Sequence, residues 1–123
     1  MKSFQVPDGA VNWFKTALNN HGEVISVEVT DRHFFKIVRK KDPQEVNVVF
    51  VDIYSVGLAD VLKARQEFPD ATCIVTNGNW NACTPEAKEY GLENGFGVFN
   101  TPEFLGALHW EEIHKYHKKD QKR

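Results

Sequence analysis

The sequence has few cysteines, no long apolar run and almost no net charge. Its two cysteines, Cys73 and Cys83, are too few and too widely spaced for a zinc knuckle or a disulfide framework. No apolar run approaches the roughly 20 residues of a membrane span. The opening residues, MKSFQVPDGA, also lack the apolar core of a signal peptide. These absences predict a cytoplasmic protein with reduced cysteines and no membrane partner.

The charge balance excludes a protein that attracts nucleic acid through its overall field. There are 15 Lys and Arg residues against 17 Asp and Glu residues, so the net charge is −2. Any nucleic-acid partner must then be held by a local patch. One candidate patch is the basic tail at about 118–123, in which Lys118 and Lys119 would make weak, salt-sensitive contacts with DNA phosphates. The alternative is that this tail is only solvated.

The hydrophobic pattern predicts a single α/β domain over residues 1–123. Alternating apolar residues predict the first two strands, and a third segment that is apolar on both faces predicts a central strand. The predicted strands are 23–31, 32–40, 45–54, 71–77 and 96–99, and the predicted helices are 10–20, 56–68, 84–94 and 101–116. The order αβββαβαβα indicates a mixed five-stranded sheet with helices on both faces.

Short polar motifs mark where the predicted helices begin and end. Asp8 is a candidate N-cap for the first helix. Thr84-Pro85-Glu86 and Thr101-Pro102-Glu103 each combine a capping hydroxyl, a proline in the first turn and an acid near the positive end of the helix. Gly95 is suited to the left-handed residue that ends a helix, and Pro43 predicts a turn at 41–44.

The segment ATCIVTNGNWNACTPEAKEYGLENGFGVFNTPEFLGAL resembles the restriction-endonuclease-like fold (the PD-(D/E)xK superfamily), particularly its Mrr-type branch. In that branch, a strand ending in Thr-Asn precedes a loop, a helix with Ala near its start, a short strand and a closing helix. The matching positions here are Thr76, Asn77, Ala87, Gly95 and Leu105. The resemblance runs from about residue 10 to 108 and implies the same fold.

The family's catalysis uses an acid on the second strand and an acid-x-lysine motif on the third, which together hold Mg²⁺ beside the scissile phosphate. The resemblance places Asp52 at the second of these acids and Tyr54 at the lysine. Lys36 falls near the second-strand acid. An ammonium there would repel Mg²⁺, and a tyrosine is not a cation at neutral pH. The site is therefore expected to be degenerate, without a bound metal, and Lys36 could pair with Asp52.

A rearranged metal site is the alternative. Asp31 or Glu28 would supply the first acid, Asp52 the second, and Lys63 the cation, with Mg²⁺ as the cofactor. Histidines near the end of the chain do not form the H-E-x-x-H motif of zinc enzymes, so no dedicated zinc site is predicted there.

The polar loop TNGNWNACTP offers a second kind of site. Asn77, Asn79 and Asn81 could pair with base edges, and an exposed Trp80 could stack on a base. The loop follows a parallel strand, where ligands of open α/β sheets often bind. In the alternative interpretation, the asparagines satisfy backbone groups of a tight turn and Trp80 fills the edge of the core.

Adjacent aromatic residues predict an oligomer contact. Trp13 and Phe14 on the first helix, and Phe34 and Phe35 on the second strand, place aromatic groups on both faces of their elements, so one of each pair should face the core. The others could meet a second copy in a homodimer.

These patterns lead to one functional prediction and two alternatives. The leading prediction is a nuclease-fold protein that has lost cleavage and acts as a nucleic-acid-binding or accessory protein in DNA processing. The first alternative is a Mg²⁺-dependent DNA endonuclease with a rearranged site. The second is a non-catalytic protein-interaction domain with an unidentified partner.

Overall fold

Seven strands and four α-helices form the part of the chain that the computed structural model describes, residues 6–30, 32–40 and 45–116. In chain order they are α1 (Asp8–Asn19), β1 (Val24–Val29), β2 (Phe34–Arg39), β3 (Glu45–Val51), β4 (Ser55–Val56), α2 (Leu58–Glu67), β5 (Cys73–Thr76), β6 (Ala82–Cys83), α3 (Pro85–Asn94), β7 (Gly97–Asn100) and α4 (Thr101–Ala107), followed by a 3₁₀ turn (Ile113–Lys115). The predicted turn at 41–44 lies outside the described residues.

The main sheet has five strands in the order β1-β2-β3-β5-β7. β2 is antiparallel to both of its neighbours, β1 and β3, and β3, β5 and β7 are parallel to one another. The predicted α/β class with a mixed five-stranded sheet is confirmed. A second, two-stranded parallel sheet of β4 and β6 was not predicted. Because β3, β5 and β7 are parallel, their carboxyl ends lie at one edge of the main sheet.

The central strand β3 packs on both of its faces. Val48 and Phe50 belong to a cluster with Phe14 of α1 and Phe104 of α4. Val49 and its neighbours on the opposite face belong to a second cluster, formed with α2 and α3. Phe14 stacks on Phe50 with ring centroids 4.3 Å apart. A strand buried on both faces explains why its sequence is almost continuously apolar.

The helix caps follow the predicted motifs at both ends of α3, whereas α4 is capped by Asn100 instead of the predicted Thr101, which is its first helical residue. Thr84 accepts a hydrogen bond from the backbone N–H of Ala87 at 3.1 Å. Asn100 and Glu103 form a reciprocal capping box at the start of α4. Gly95 adopts the left-handed conformation, with φ of 66°, after α3. At α1 the prediction was wrong by one residue, because Asp8 is the first helical residue and does not cap the helix.

Helix α4 ends at Ala107, whereas the sequence predicted a helix through Tyr116. The buried guanidinium of Arg39 donates hydrogen bonds to the carbonyl oxygens of Leu108, Trp110 and Glu111. These carbonyl oxygens therefore accept hydrogen bonds from a side chain at the end of β2, instead of from the backbone N–H groups of a further helical turn. A single charged side chain, distant in sequence, therefore stabilises the non-helical conformation of the segment that follows α4.

The aromatic pairs are more completely covered than predicted. Phe14 and Phe35 are fully buried, as expected for the inward-facing members of their pairs. Phe34 is also buried, with its ring stacked on Phe68 at 4.9 Å, so the prediction that one residue of this pair remains outside the core is wrong. Trp13 alone of the four is exposed. No helix within the described ranges is long and apolar enough to cross a membrane.

Candidate nucleic-acid interface

The polar residues that follow β3, β5 and β7 meet at one edge of the main sheet. We call this the carboxyl edge and define it as residues 52–54, 77–81 and 100–102. Parallel strands place their carboxyl ends side by side, and ligands of open α/β sheets bind outside such ends. The sequence prediction that the Asn-rich loop lies at this position is confirmed.

Asn81 links the three strand ends at the carboxyl edge. Its side-chain N–H groups donate to Asp52 Oδ1 at 3.1 Å and to Thr76 Oγ1 at 3.3 Å. Its backbone carbonyl accepts from Asn100 Nδ2 at 3.2 Å. The buried Thr76 hydroxyl also donates to the carbonyl of Ile53 at 2.7 Å. Asn81 therefore stabilises the loop through its hydrogen bonds, as the alternative interpretation predicted for the asparagines. Its amide also binds Asp52, the one carboxylate at this edge.

Lys36 lies far from Asp52, so the predicted ion pair between them is not formed. In the antiparallel register Lys36 is directly opposite Asn47, with Glu28 on its other side. Asn47 precedes Asp52 by five residues, a separation of about 16 Å along an extended strand. Glu28 is in the same row, one strand further away, and cannot share a cation with Asp52.

The remaining residues of the rearranged metal site are not assembled by the described structure. Lys63 is exposed on α2 and forms no ion pair or hydrogen bond within the described ranges. Asp31 lies outside the described residues, as do Lys118 and Lys119. Across residues 6–30, 32–40 and 45–116, no three His, Cys, Asp or Glu side chains are grouped to hold a metal ion.

Two large aromatic side chains are exposed at the carboxyl edge. Tyr54 is 78% exposed and Trp80 is 87% exposed. The small sheet of β4 and β6 joins the two segments that carry them, because Ser55 pairs with Ala82 and the N–H of Ala82 donates to the carbonyl of Tyr54 at 2.9 Å. The alternative in which Trp80 fills the edge of the core is therefore wrong. Its exposure leaves the indole face available to a partner.

Asn77 and Asn79 keep their side-chain amides available. Asn77 is half-buried and its backbone N–H donates to the carbonyl of Val51 at 2.8 Å, which joins the loop to β3. Asn79 is exposed. Neither side-chain amide forms a hydrogen bond with any described residue. Each amide offers both donors and an acceptor to a ligand.

A cavity of about 510 Å³ opens beside the loop, on the face covered by α1 and α4. It is lined by Ala10, Trp13, Asn77, Gly78, Asn79, Thr101, Pro102 and Leu105. Sequence reasoning selected Asn77 and Asn79 from this set but missed Thr101 and Pro102, which it had assigned only to a helix start. Their position in the chain could have identified them, because they follow β7 just as Asn77 follows β5.

The two cysteines do not contribute a nucleophile. Burial raises the pKa of the Cys73 thiol to about 12. Burial likewise raises the pKa of the Cys83 thiol to about 12. Both side chains are therefore neutral thiols at physiological pH, and the thiolate is the reactive form of cysteine. Their role in this fold is packing.

Comparisons with known proteins gave no identification of the chain. No protein-family model matches it, no curated protein matches it, and no solved structure matches its fold. Function must then be inferred from the geometry of the carboxyl edge.

Proposed function

We propose that this protein binds single-stranded or unpaired nucleic acid at its carboxyl edge and does not cleave it. In this proposal the chain is an accessory protein with a restriction-endonuclease-like fold. The observation that carries the proposal is the exposure of two aromatic side chains, Tyr54 and Trp80, on segments of the carboxyl edge that the β4–β6 sheet joins. Exposed aromatic rings are the groups on which single-strand-binding proteins stack successive bases.

The charge of the carboxyl edge favours unpaired bases over a duplex. The edge contains Asp52 and no lysine or arginine. Duplex DNA is held chiefly through its phosphates, which require cations. Unpaired bases expose their faces to aromatic rings and their edges to amides, and both kinds of group are present here. Binding should accordingly be weak and only modestly sensitive to salt.

The surroundings of Asp52 support binding without cleavage. A magnesium-dependent nuclease needs a second acidic ligand and a cation near the scissile phosphate. The described partners of the Asp52 carboxylate are instead an amide from Asn81 and, beyond it, the hydroxyl of Thr76. Tyr54 occupies the position at which the resemblance implies a lysine, and its phenol supplies no positive charge at neutral pH.

Replacing Trp80 with alanine tests the proposal. Loss of one base-stacking ring should weaken binding of a fluorescently labelled oligothymidylate by about five-fold or more, as measured by anisotropy at low salt. Trp80→Phe should retain most of the affinity because a ring face remains. A labelled duplex of the same length should bind more weakly than the single strand.

Leu92→Ala is the matched control, because Leu92 is a large apolar side chain that is 51% exposed on α3, away from the carboxyl edge. It should leave the oligonucleotide affinity unchanged. Equal affinity of the wild type and Trp80→Ala would contradict the proposal. A complete lack of binding at low salt would favour the protein-interaction alternative.

The nuclease alternative keeps one specific observation in its favour, the exposed carboxylate of Asp52 at the end of the central strand. Supercoiled plasmid incubated with the protein and Mg²⁺ or Mn²⁺ should remain intact, and Asp52→Ala should behave as the wild type does. Metal-dependent nicking that disappears in Asp52→Ala would establish the alternative. Nicking that persists in the variant would indicate a contaminating nuclease.

A further inference from the structure

The cavity beside the Asn-rich loop has the size of a small-molecule site. Its volume of about 510 Å³ lies within the range of roughly 300–1,000 Å³ typical of ligand pockets. The ring of Trp13, which is 55% exposed, forms part of the wall, and Leu105 and Pro102 add apolar surface. Such a lining suits a flat, largely apolar ring.

Two polar side chains that line the cavity, Asn77 and Asn79, belong to the loop after β5. The amides of Asn77 and Asn79 have no hydrogen-bond partner among the described residues. An asparagine amide presents a donor and an acceptor together, which matches the edge of a nucleobase. A ring held against Trp13 would therefore meet these amides with its edge.

Thr101 fixes the loop that carries the two amides. Its hydroxyl donates to the carbonyl of Thr76 at 3.0 Å and accepts from the N–H of Gly78 at 3.1 Å. Gly78 has φ of 76°, a conformation that glycine adopts without strain. The turn between Asn77 and Asn79 is thus tied to the start of α4, so the backbone that carries the two amides is positioned before any ligand arrives.

The charge of the cavity selects the part of a nucleotide that it accepts. None of the residues that line it is an acid, a lysine or an arginine. A phosphate would find no cation there, whereas an uncharged base would lose little on entering. Asn79 lines the cavity and is followed directly by Trp80. A strand that inserts one base can therefore place the next base against the exposed indole.

We infer that this cavity accommodates one unpaired nucleobase, stacked on Trp13, with Asn77 binding its hydrogen-bonding edge. The inference rests on the proposed function and names its ligand: the base of a single strand, with the phosphates remaining outside. Asn77 then contributes base preference, while Trp80 contributes affinity that does not depend on sequence.

Free nucleosides at millimolar concentration test the cavity separately from the stacking platform. In amide-detected NMR, a nucleoside should shift the Trp13 indole N–H and the Asn77 side-chain amide signals, both in the wild type and in Trp80→Ala. Ribose 5-phosphate should shift neither. Trp13→Ala and Asn77→Ala should each weaken nucleoside binding by about five-fold or more.

Asn19→Ala is the control for Asn77→Ala, because Asn19 is exposed at the far end of α1 and lines no part of the cavity. In oligonucleotide binding, Asn77→Ala should reduce the difference in affinity between homopolymers, whereas Trp80→Ala should weaken all of them alike. Circular dichroism confirms that each variant is folded.

The outcomes separate this inference from the proposed function. If nucleosides leave the Trp13 and Asn77 signals unchanged while oligonucleotides bind in a Trp80-dependent manner, the cavity inference is wrong and the proposed function remains. If nucleosides bind but Trp80→Ala has no effect on oligonucleotides, the stacking platform is wrong. If neither probe binds, both are overturned.

Discussion

Gly91→Ala is expected to destabilise the protein by about 2 kcal/mol, although the same substitution in an exposed helix usually stabilises. Gly91 lies inside α3, where that helix contacts the chain entering β7. A Cβ atom at this position would overlap the carbonyl oxygen of Phe96 and lie 2.9 Å from Cγ2 of Val98. The first of these neighbours is backbone, which cannot turn aside, so the helix itself must move. The lower midpoint of urea denaturation measures the effect.

Gly9→Ala is the matched control for this prediction. Gly9 lies in the first turn of α1, and an added Cβ atom there would meet nothing within 4 Å. Reduced freedom of the unfolded chain should therefore stabilise this variant by several tenths of a kcal/mol, up to about 1 kcal/mol. If Gly91→Ala lowers the stability and Gly9→Ala raises it, the loss in Gly91→Ala comes from the packing of α3. A stabilised Gly91→Ala would show that α3 is not tightly packed against Phe96.

The elements with a clear hydrophobic period were predictable from sequence, and the short ones were not. β3 was identified from its apolar run because both of its faces are covered by helices. Its end was placed at Tyr54, three residues late, because Ile53 continues the apolar pattern. β4 and β6 contain two residues each, too few to show any period, and they are held by pairing with one another.

The candidate site was predicted in its position but not in all of its contacts. The carboxyl edge followed from the order of strands, which the hydrophobic pattern provided. Whether Trp80 is buried or exposed could not be decided, because one tryptophan in a polar loop fits both environments. The assignment of Lys36 to the surroundings of Asp52 was wrong for a different reason. It matched positions by motif, whereas the observed register places Lys36 opposite Asn47.

Arg39→Ala is expected to lower the free energy of unfolding by about 3 kcal/mol or more, a large fraction of the stability of a single domain. Arg39 is 2% exposed at the end of β2. Its guanidinium donates to the carbonyl oxygens of Leu108, Trp110 and Glu111 at 3.1, 2.6 and 3.3 Å. Alanine leaves these three acceptors without that donor and removes buried side-chain volume. Thermal and urea denaturation both report the loss.

The effect should extend beyond stability to the segment after α4. Its carbonyls are held by Arg39, so the variant should show faster amide hydrogen exchange in residues 108–116 than the loss of global stability alone explains. Arg39→Lys should fall between the wild type and alanine, because one ammonium cannot reproduce the planar fork of a guanidinium.

Arg32→Ala provides the comparison that isolates burial as the cause. Arg32 forms an ion pair with Glu67 at 2.6 Å and lies over the ring of Phe68 at 4.6 Å, but its side chain is 55% exposed. Solvent screens an exposed pair of this kind, so its loss should cost at most about 1 kcal/mol. If the two arginine variants lose equal stability, the buried hydrogen bonds do not hold residues 108–116. A several-fold larger loss for Arg39→Ala, together with faster exchange in residues 108–116, would instead show that a buried side chain of β2 fixes the chain that follows α4.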